Sequence, residues 1–260
     1  MRRACGIVFG IFTHAVFFYT FYRVFRFLHA DTVVSPAGSL WYDTLLAGQF
    51  GVLHSLLLHP LTRRRLEAWI PGPFYGCFFS LATCATLLVM FAGWGSAETT
   101  VWRLTGWPRL AVEAGYLSSW GMLFYSLCVS GLGYQTGFTP WWNWVRGRSA
   151  ARREFRPRNI YTVLRHPVYL SFMASVWFNP VMTVDRLLLA LVWSAYIFVG
   201  SWLKDERLAY FLGDTYRAYQ EKVPGYPFML LGPLARRERR DEPQVIPLPP
   251  AMTIADRKAA

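Results

Sequence analysis

The run Arg165-His166-Pro167-Val168-Tyr169 gathers a guanidinium, an imidazole, a ring without an N–H and a phenol beside strongly apolar sequence. Charged and ionisable groups are costly next to lipid, so a chain that keeps them there usually uses them. Pro167 cannot donate a backbone hydrogen bond, and within a continuous helix the carbonyl of Val163 would lose its partner. Next to hydrocarbon, such a carbonyl persists only against protein, water or a ligand. One apolar stretch later, Lys204-Asp205-Glu206-Arg207-Leu208 brings carboxylates back to the same face. Together these groups describe a pocket for a small zwitterion that carries charge and rings. The competing reading is a topology anchor, in which Arg165 marks the interface and Pro167 starts a helix at its first turn, where proline is tolerated.

The elements that must position these residues are apolar helices. The 260 residues are 54% hydrophobic and 16% charged, against roughly 25% charged in an average soluble domain. The deficit lies in long apolar runs, which predicts an all-α, polytopic membrane bundle of about six transmembrane helices. The spans are expected near 5–28, 40–61, 74–94, 110–134, 160–178 and 184–203. Ser35-Pro36-Ala37-Gly38 and Pro71-Gly72-Pro73 read as turns, Glu98 sits in a short loop, and Asn179-Pro180 should break the fifth span. Thr183 is a candidate N-cap for the sixth. Asp205 to Lys222 reads as a cytoplasmic C-terminal helix continuing from that span, stopped by Val223-Pro224-Gly225-Tyr226-Pro227.

A net charge of +12 would suggest nucleic acid in a soluble protein. Here Arg2-Arg3, Arg63-Arg64-Arg65 and the run Arg146, Arg148, Arg152, Arg153, Arg156 and Arg158 fall on one side of a six-span bundle. That is the pattern of cytoplasmic loops beside anionic lipid, with both termini cytoplasmic. No nucleic-acid-binding signature accompanies the charge. Cys5, Cys77, Cys84 and Cys128 form no Cys-x-x-Cys pair and read as small apolar packing residues. No metal site is indicated. His54 and His59 do not stack on one helical face, which argues against haem ligation. Residues 1–235 are expected to form one integral-membrane domain, and 236–260 a disordered, charged and proline-rich tail.

The stretch Tyr161-Thr162-Val163-Leu164-Arg165-His166-Pro167-Val168-Tyr169 resembles the Tyr-x-x-x-Arg-His-Pro-x-Tyr motif of the isoprenylcysteine carboxyl methyltransferase superfamily. Downstream, Asp205-Glu206-Arg207-Leu208, Leu212-Gly213-Asp214-Thr215-Tyr216, Tyr219 and Val223-Pro224 are similar in order and spacing to that superfamily's later motifs. Gln49-Phe50-Gly51-Val52-Leu53-His54-Ser55 is similar to the branch holding NnrU-like proteins and methanethiol S-methyltransferases. The resemblance implies an integral-membrane methyltransferase that uses S-adenosylmethionine on a small thiol or a lipophilic acceptor, in a bacterial inner membrane. It implies cofactor contacts from Tyr161, Arg165, His166, Pro167, Tyr169, Asp205 and Glu206. Arg165 would pair with the cofactor's carboxylate, and Asp205 or Glu206 would meet its ribose hydroxyls or amino group. His54 is the candidate for activating a thiol, although a hydrogen bond to Ser55 or Gln49 would explain it equally. Where the superfamily pairs two glutamates, this chain has Lys204 and Asp205. That departure supports an alternative: an inactive NnrU-like partner or regulator of a membrane complex.

Overall fold

A computed structural model describes residues 2–29, 39–97, 99–149 and 154–237. The turn at 35–38, Glu98, Arg152, Arg153 and the tail from residue 238 lie outside them. The chain is a polytopic helical membrane protein. Its helices are α1 (Arg2–His29), α2 (Leu40–Leu58), α3 (Pro60–Glu67), α4 (Gly72–Gly93), α5 (Gly106–Ser130), α6 (Leu132–Gln135), α7 (Phe138–Val145), α8 (Pro167–Trp177), α9 (Val184–Leu212) and α10 (Asp214–Lys222). Three of them, α1, α4 and α9, are long and apolar enough to cross a membrane, and α2 with α3 makes a fourth candidate if the bent pair counts as one span. The other two expected spans meet that standard less well. α5 is long but outside this apolar set, and α8 has only 11 residues.

Local chemistry explains where the helices stop. Pro60 pushes His59 out of the helical region, to φ −67° and ψ 133°, so the expected span 40–61 ends at Leu58. The chain turns by 67° there. His59 then caps α3, its Nδ1 accepting from the Leu61 N–H at 3.3 Å. α5 ends on Gly131 with φ +92°, a left-handed residue for which glycine carries no Cβ penalty. Two expectations near the motif are corrected. The span expected at 160–178 is not one helix: a 3-10 turn over Asn159–Thr162 precedes it, and α8 begins only at Pro167. Pro167 therefore opens a helix and frees no carbonyl at Val163. The C-terminal helix is likewise not continuous, because α9 stops at Gly213 before α10.

The all-α expectation is modified by one short ribbon. β1 (Thr100–Arg103) pairs antiparallel with β2 (Val181–Thr183), with Thr100 opposite Thr183, Trp102 opposite Met182 and an irregularity between them. This ribbon fixes which helix ends lie together. The Asn179 amide donates to Leu28 O at the end of α1 (3.2 Å), and Asp185 at the start of α9 accepts from Trp94 Nε1 (3.2 Å) beyond α4. At the opposite end, the Trp141 indole of α7 donates to Gly6 O (3.0 Å), and Arg3 reaches Val145 O (2.9 Å).

The apolar core joins α1, α2, α4, α5, α8 and α9 through Val24, Leu46, Met90, Tyr116, Val176 and Trp193. Large apolar side chains such as Phe18, Leu45, Leu110 and Leu191 remain exposed along the helices, as a bundle solvated by lipid requires. Cys77 and Cys84 are buried as expected, whereas Cys5 and Cys128 are exposed. α8 packs mainly on α5 and also against α9, its hairpin neighbour.

Candidate functional site

The motif residues sit where α8, α9, α10 and the segment after α10 converge. The backbone before α8 is held like a strand. Arg165 N donates to Pro224 O (2.9 Å), His166 N to Gly225 O (3.2 Å), and Gly225 N to Leu234 O (2.8 Å). A Cβ on Gly225 would lie 2.8 Å from Leu234 O and 3.2 Å from the His166 ring, so this crossing requires glycine.

The Arg165 side chain is fully buried. Its guanidinium donates to Leu234 O (3.0 Å), Ala235 O (3.1 Å) and, at the edge of hydrogen-bonding range, Gln220 O (3.4 Å). Nη2 also lies 3.1 Å from Asp205 Oδ2. A guanidinium's rigid fork suits this task, and its charge stays on. Arg165 thus fastens α9, the end of α10 and the following segment to the start of α8.

Asp205 is the hub of the cluster, with its side chain fully buried. Its Oδ1 accepts from the Tyr216 hydroxyl (2.5 Å) and lies 3.1 Å from His166 Nε2. Burial pushes the His166 imidazole below its ordinary pKa and outweighs the pull of Asp205, so the ring is neutral and the ion pair belongs to Arg165. Burial, followed by the Asp205 charge, pushes the Tyr216 phenol well up, which keeps it a donor. The His166 ring lies between Tyr169 (5.6 Å between centroids) and Tyr226 (5.7 Å). Tyr226 in turn meets Ser201 of α9 at 2.5 Å. His166 Nδ1 and both side-chain polar atoms of Gln220 are buried without a hydrogen-bond partner among the described residues.

Beside this cluster lies a cavity of about 260 Å³ between the end of α2 and the C-terminal half of α9. His54 and Ser55 of α2, Tyr169 of α8, and Tyr196, Lys204 and Arg207 of α9 face it. Ser55 Oγ and Tyr196 Oη lie 3.3 Å apart. Lys204 Nζ stands 4.9 Å from the centre of the Tyr169 ring, a cation–π contact that joins the cavity to the motif. Arg207 is anchored by a donation to Leu58 O (3.3 Å). Its neighbours Phe50 (5.5 Å) and Phe79 (5.0 Å) make the surroundings of the His54 ring largely apolar. The interhelical partner of His54 is Thr83 (3.5 Å), whereas Gln49 bonds to Thr86 O (2.8 Å).

The structure therefore brings together Arg165, His166, Pro167 and Asp205 as one buried unit, and places Tyr169 and His54 at the adjoining cavity. Tyr161 stands to one side, its hydroxyl donating to Ser126 O (3.1 Å) and its carbonyl accepting from Tyr219 (2.5 Å). Glu206 is exposed and paired with Arg237, away from Asp205. Sequence reasoning missed Tyr196, Tyr226 and Gln220. Val223-Pro224-Gly225-Tyr226 was legible as a helix stop, but nothing in its pattern says that it returns to pair with Arg165.

The chain is 30% identical over 233 residues to methanethiol S-methyltransferase 1 of Bradyrhizobium diazoefficiens, a match covering 84% of this chain and 80% of that protein. The chain belongs to the methanethiol S-methyltransferase family. A second relative, methanethiol S-methyltransferase of Pseudomonas deceptionensis, is 28% identical over 74% of this chain and 76% of its own length. The likeness extends to the rat protein Nurim, 25% identical over 72% of this chain and 74% of that one. No protein-family model and no solved structure matches the chain. Membership of this family agrees with the resemblance carried by Arg165-His166-Pro167-Val168-Tyr169 and its downstream series.

Proposed function

We propose that the chain is an integral-membrane methyltransferase that methylates a small thiol, with S-adenosylmethionine as the methyl source. The observation that carries this reading is the cavity lined by His54, Tyr169, Tyr196, Lys204 and Arg207, set against the buried Arg165–Asp205 cluster in a member of this family. A cavity of about 260 Å³ is small for a ligand site, where roughly 300–1,000 Å³ is usual. It suits the reacting end of a bound pair more than a long lipid chain.

The residues lining the cavity fit the cofactor's chemistry. Tyr169 and Tyr196 offer ring faces to a positively charged sulfur. Arg207 offers a guanidinium to a carboxylate. When bound, S-adenosylmethionine supplies a methyl group on a sulfonium. Of the residues that the resemblance assigns to the cofactor, Tyr169 lines the cavity directly. Arg165, His166 and Asp205 act one layer back, fixing the start of α8 and so the place of Tyr169. Tyr161 and Glu206 are farther from the cavity lining. Pro167 begins α8, so Tyr169 stands in its first turn. Rate enhancement would come from alignment and exclusion of water around a sulfur nucleophile.

The helix ends sorted by the β1–β2 ribbon support a six-crossing reading with both termini cytoplasmic. On that reading, Arg3, Arg63–Arg65 and the site share the cytoplasmic end, since Arg3 reaches Val145 O and the Tyr75 hydroxyl reaches Leu57 O. A bacterial inner membrane is the setting that fits.

The test is transfer of radiolabelled methyl from S-adenosylmethionine to methanethiol by detergent-purified protein, with prenylcysteine analogues and lipid extract as competing acceptors. A labelled volatile sulfide is the expected product. No transfer to any thiol by protein with an intact helical circular-dichroism signal would overturn the proposal, and would favour the inactive-partner reading that Lys204 raises.

A further inference from the structure

The described residues lining the cavity include two basic side chains, Lys204 and Arg207, and no carboxylate. The nearest acid in sequence, Asp205, is turned into the buried cluster, where Arg165, His166 and Tyr216 meet both its oxygens. The second acid of this stretch, Glu206, pairs with Arg237. The cavity's positive charge is therefore uncompensated by its own lining. A cavity built this way favours an anion, and a thiolate is the anion that thiol methylation needs.

From this arrangement we infer that Lys204 is the residue that holds the acceptor thiol in its ionised form. The inference rests on the reading of the chain as a thiol methyltransferase. Lys204 and Arg207 divide the work by their tethers. Arg207 is anchored to Leu58 O (3.3 Å) at the end of α2. The Lys204 ammonium lies over the Tyr169 ring and has no carboxylate salt bridge among the described residues. Its charge is held in place by a ring face, which leaves its donors available to a ligand.

The other titratable groups around it do not supply this charge as directly. From α8, Tyr169 presents its ring. From α2, His54 sits among Phe50 and Phe79 and bonds to Thr83. His59, at the bend, accepts from Leu61 N through Nδ1. From α9 itself, Tyr196 meets Ser55, and Tyr210 lies at the exposed rim. The step assigned to the site is an ionisation: the thiol's S–H bond breaks, its electron pair stays on sulfur, and the proton leaves to water. Lys204 acts through its protonated form and takes no proton from the thiol.

An opposite charge within about 4–6 Å favours an ionised form by roughly tenfold or more. The experiment compares wild-type protein, Lys204→Met and Lys204→Arg in methyl transfer to methanethiol and to more acidic thiols across pH 6–10. Lys204→Met should lose about tenfold or more in kcat/KM for methanethiol at pH 7. Its rate should keep rising to higher pH than that of the wild type, and the deficit should shrink as the acceptor thiol becomes more acidic. Lys204→Arg should restore most of the rate and the wild-type profile, and KM for S-adenosylmethionine should stay within about twofold.

A Lys204→Met pH profile that superimposes on the wild type would overturn the inference. So would a loss confined to the KM for S-adenosylmethionine, which would move Lys204 to the cofactor's carboxylate. In either case wild-type turnover would leave the methyltransferase reading standing. Should Lys204→Met fail to fold, Lys204→Arg against Lys204→Gln supplies the same comparison with a smaller change in volume.

Discussion

The two ends of the bundle each bury carboxylates, and they use them differently. At the end that carries the β1–β2 ribbon, Asp43 accepts from Gly95 N (2.9 Å), while Asp185 accepts from Trp94 Nε1 (3.2 Å) and Ala97 N (3.1 Å). Those bonds serve the connection that leaves α4: the acids accept from backbone and indole N–H groups of a segment that has left the helix. At the other end, Asp205 meets an arginine, a histidine and a tyrosine drawn from two separate parts of the chain, and a cavity lies alongside. A buried carboxylate is thus no marker of a site in this protein. What sets the Asp205 end apart is an open cavity next to the ionic cluster, with a lysine over a ring and an imidazole at its wall.

This contrast is most open to attack at Asp205. Replacing it with alanine leaves the Arg165 charge buried and uncompensated, which costs about 3–5 kcal/mol. Thermal unfolding in detergent should show that loss, and methyl transfer should fall together with the folded fraction and beyond it, because Tyr169 loses its support. A variant as stable as wild type would show that the cluster is not a structural hub. Asp185→Ala is the matched experiment at the opposite end. Two donors, the Trp94 indole and the Ala97 N–H, lose their acceptor there, for a cost of about 1–3 kcal/mol. Activity per folded molecule should be unchanged, and a specific loss of kcat would mean that the two ends communicate.

The smallest effect expected is that of pH. His166 is held below its ordinary pKa of about 6.5 by burial. In acid the unfolded chain therefore binds a proton that the folded chain resists. The stability due to the neutral ring is complete above about pH 6.5 and declines as the pH falls below it. Melting temperatures measured at pH 7.5 and 5.5 should separate more for wild-type protein than for His166→Asn, in which this group no longer titrates. Equal separations would show that the imidazole does not carry the acid sensitivity.

Much of the architecture was readable from residue order. Apolar runs set α1, α4 and α9, and the glycine- and proline-rich punctuation marked their limits, because helix length and apolarity are properties of contiguous residues. The motif at 165–169 and its downstream series led to the right family for a related reason: such signatures keep their spacing. Less legible was the path of the backbone between elements. Pro167 is compatible both with a kink inside a helix and with a helix start, and the choice depends on whether residues before it find other partners. Here they do, on Pro224 and Gly225.

The sequence by itself determined that this chain is a helical membrane protein, and that Arg165, His166, Pro167, Tyr169 and Asp205 belong to the spaced series by which it resembles its family. Those conclusions rest on composition and local spacing. Tertiary structure alone decided which of these residues face a cavity and which are consumed in holding it. Arg165 donates to carbonyls 55, 69 and 70 residues away, and Asp205 takes the Tyr216 hydroxyl across the break at Gly213. Partners at such separations are selected by the packing of α8, α9 and α10 and the chain that returns after them. A buried charge must be neutralised by whatever that packing brings within reach. The same packing left Lys204 over Tyr169 beside the cavity.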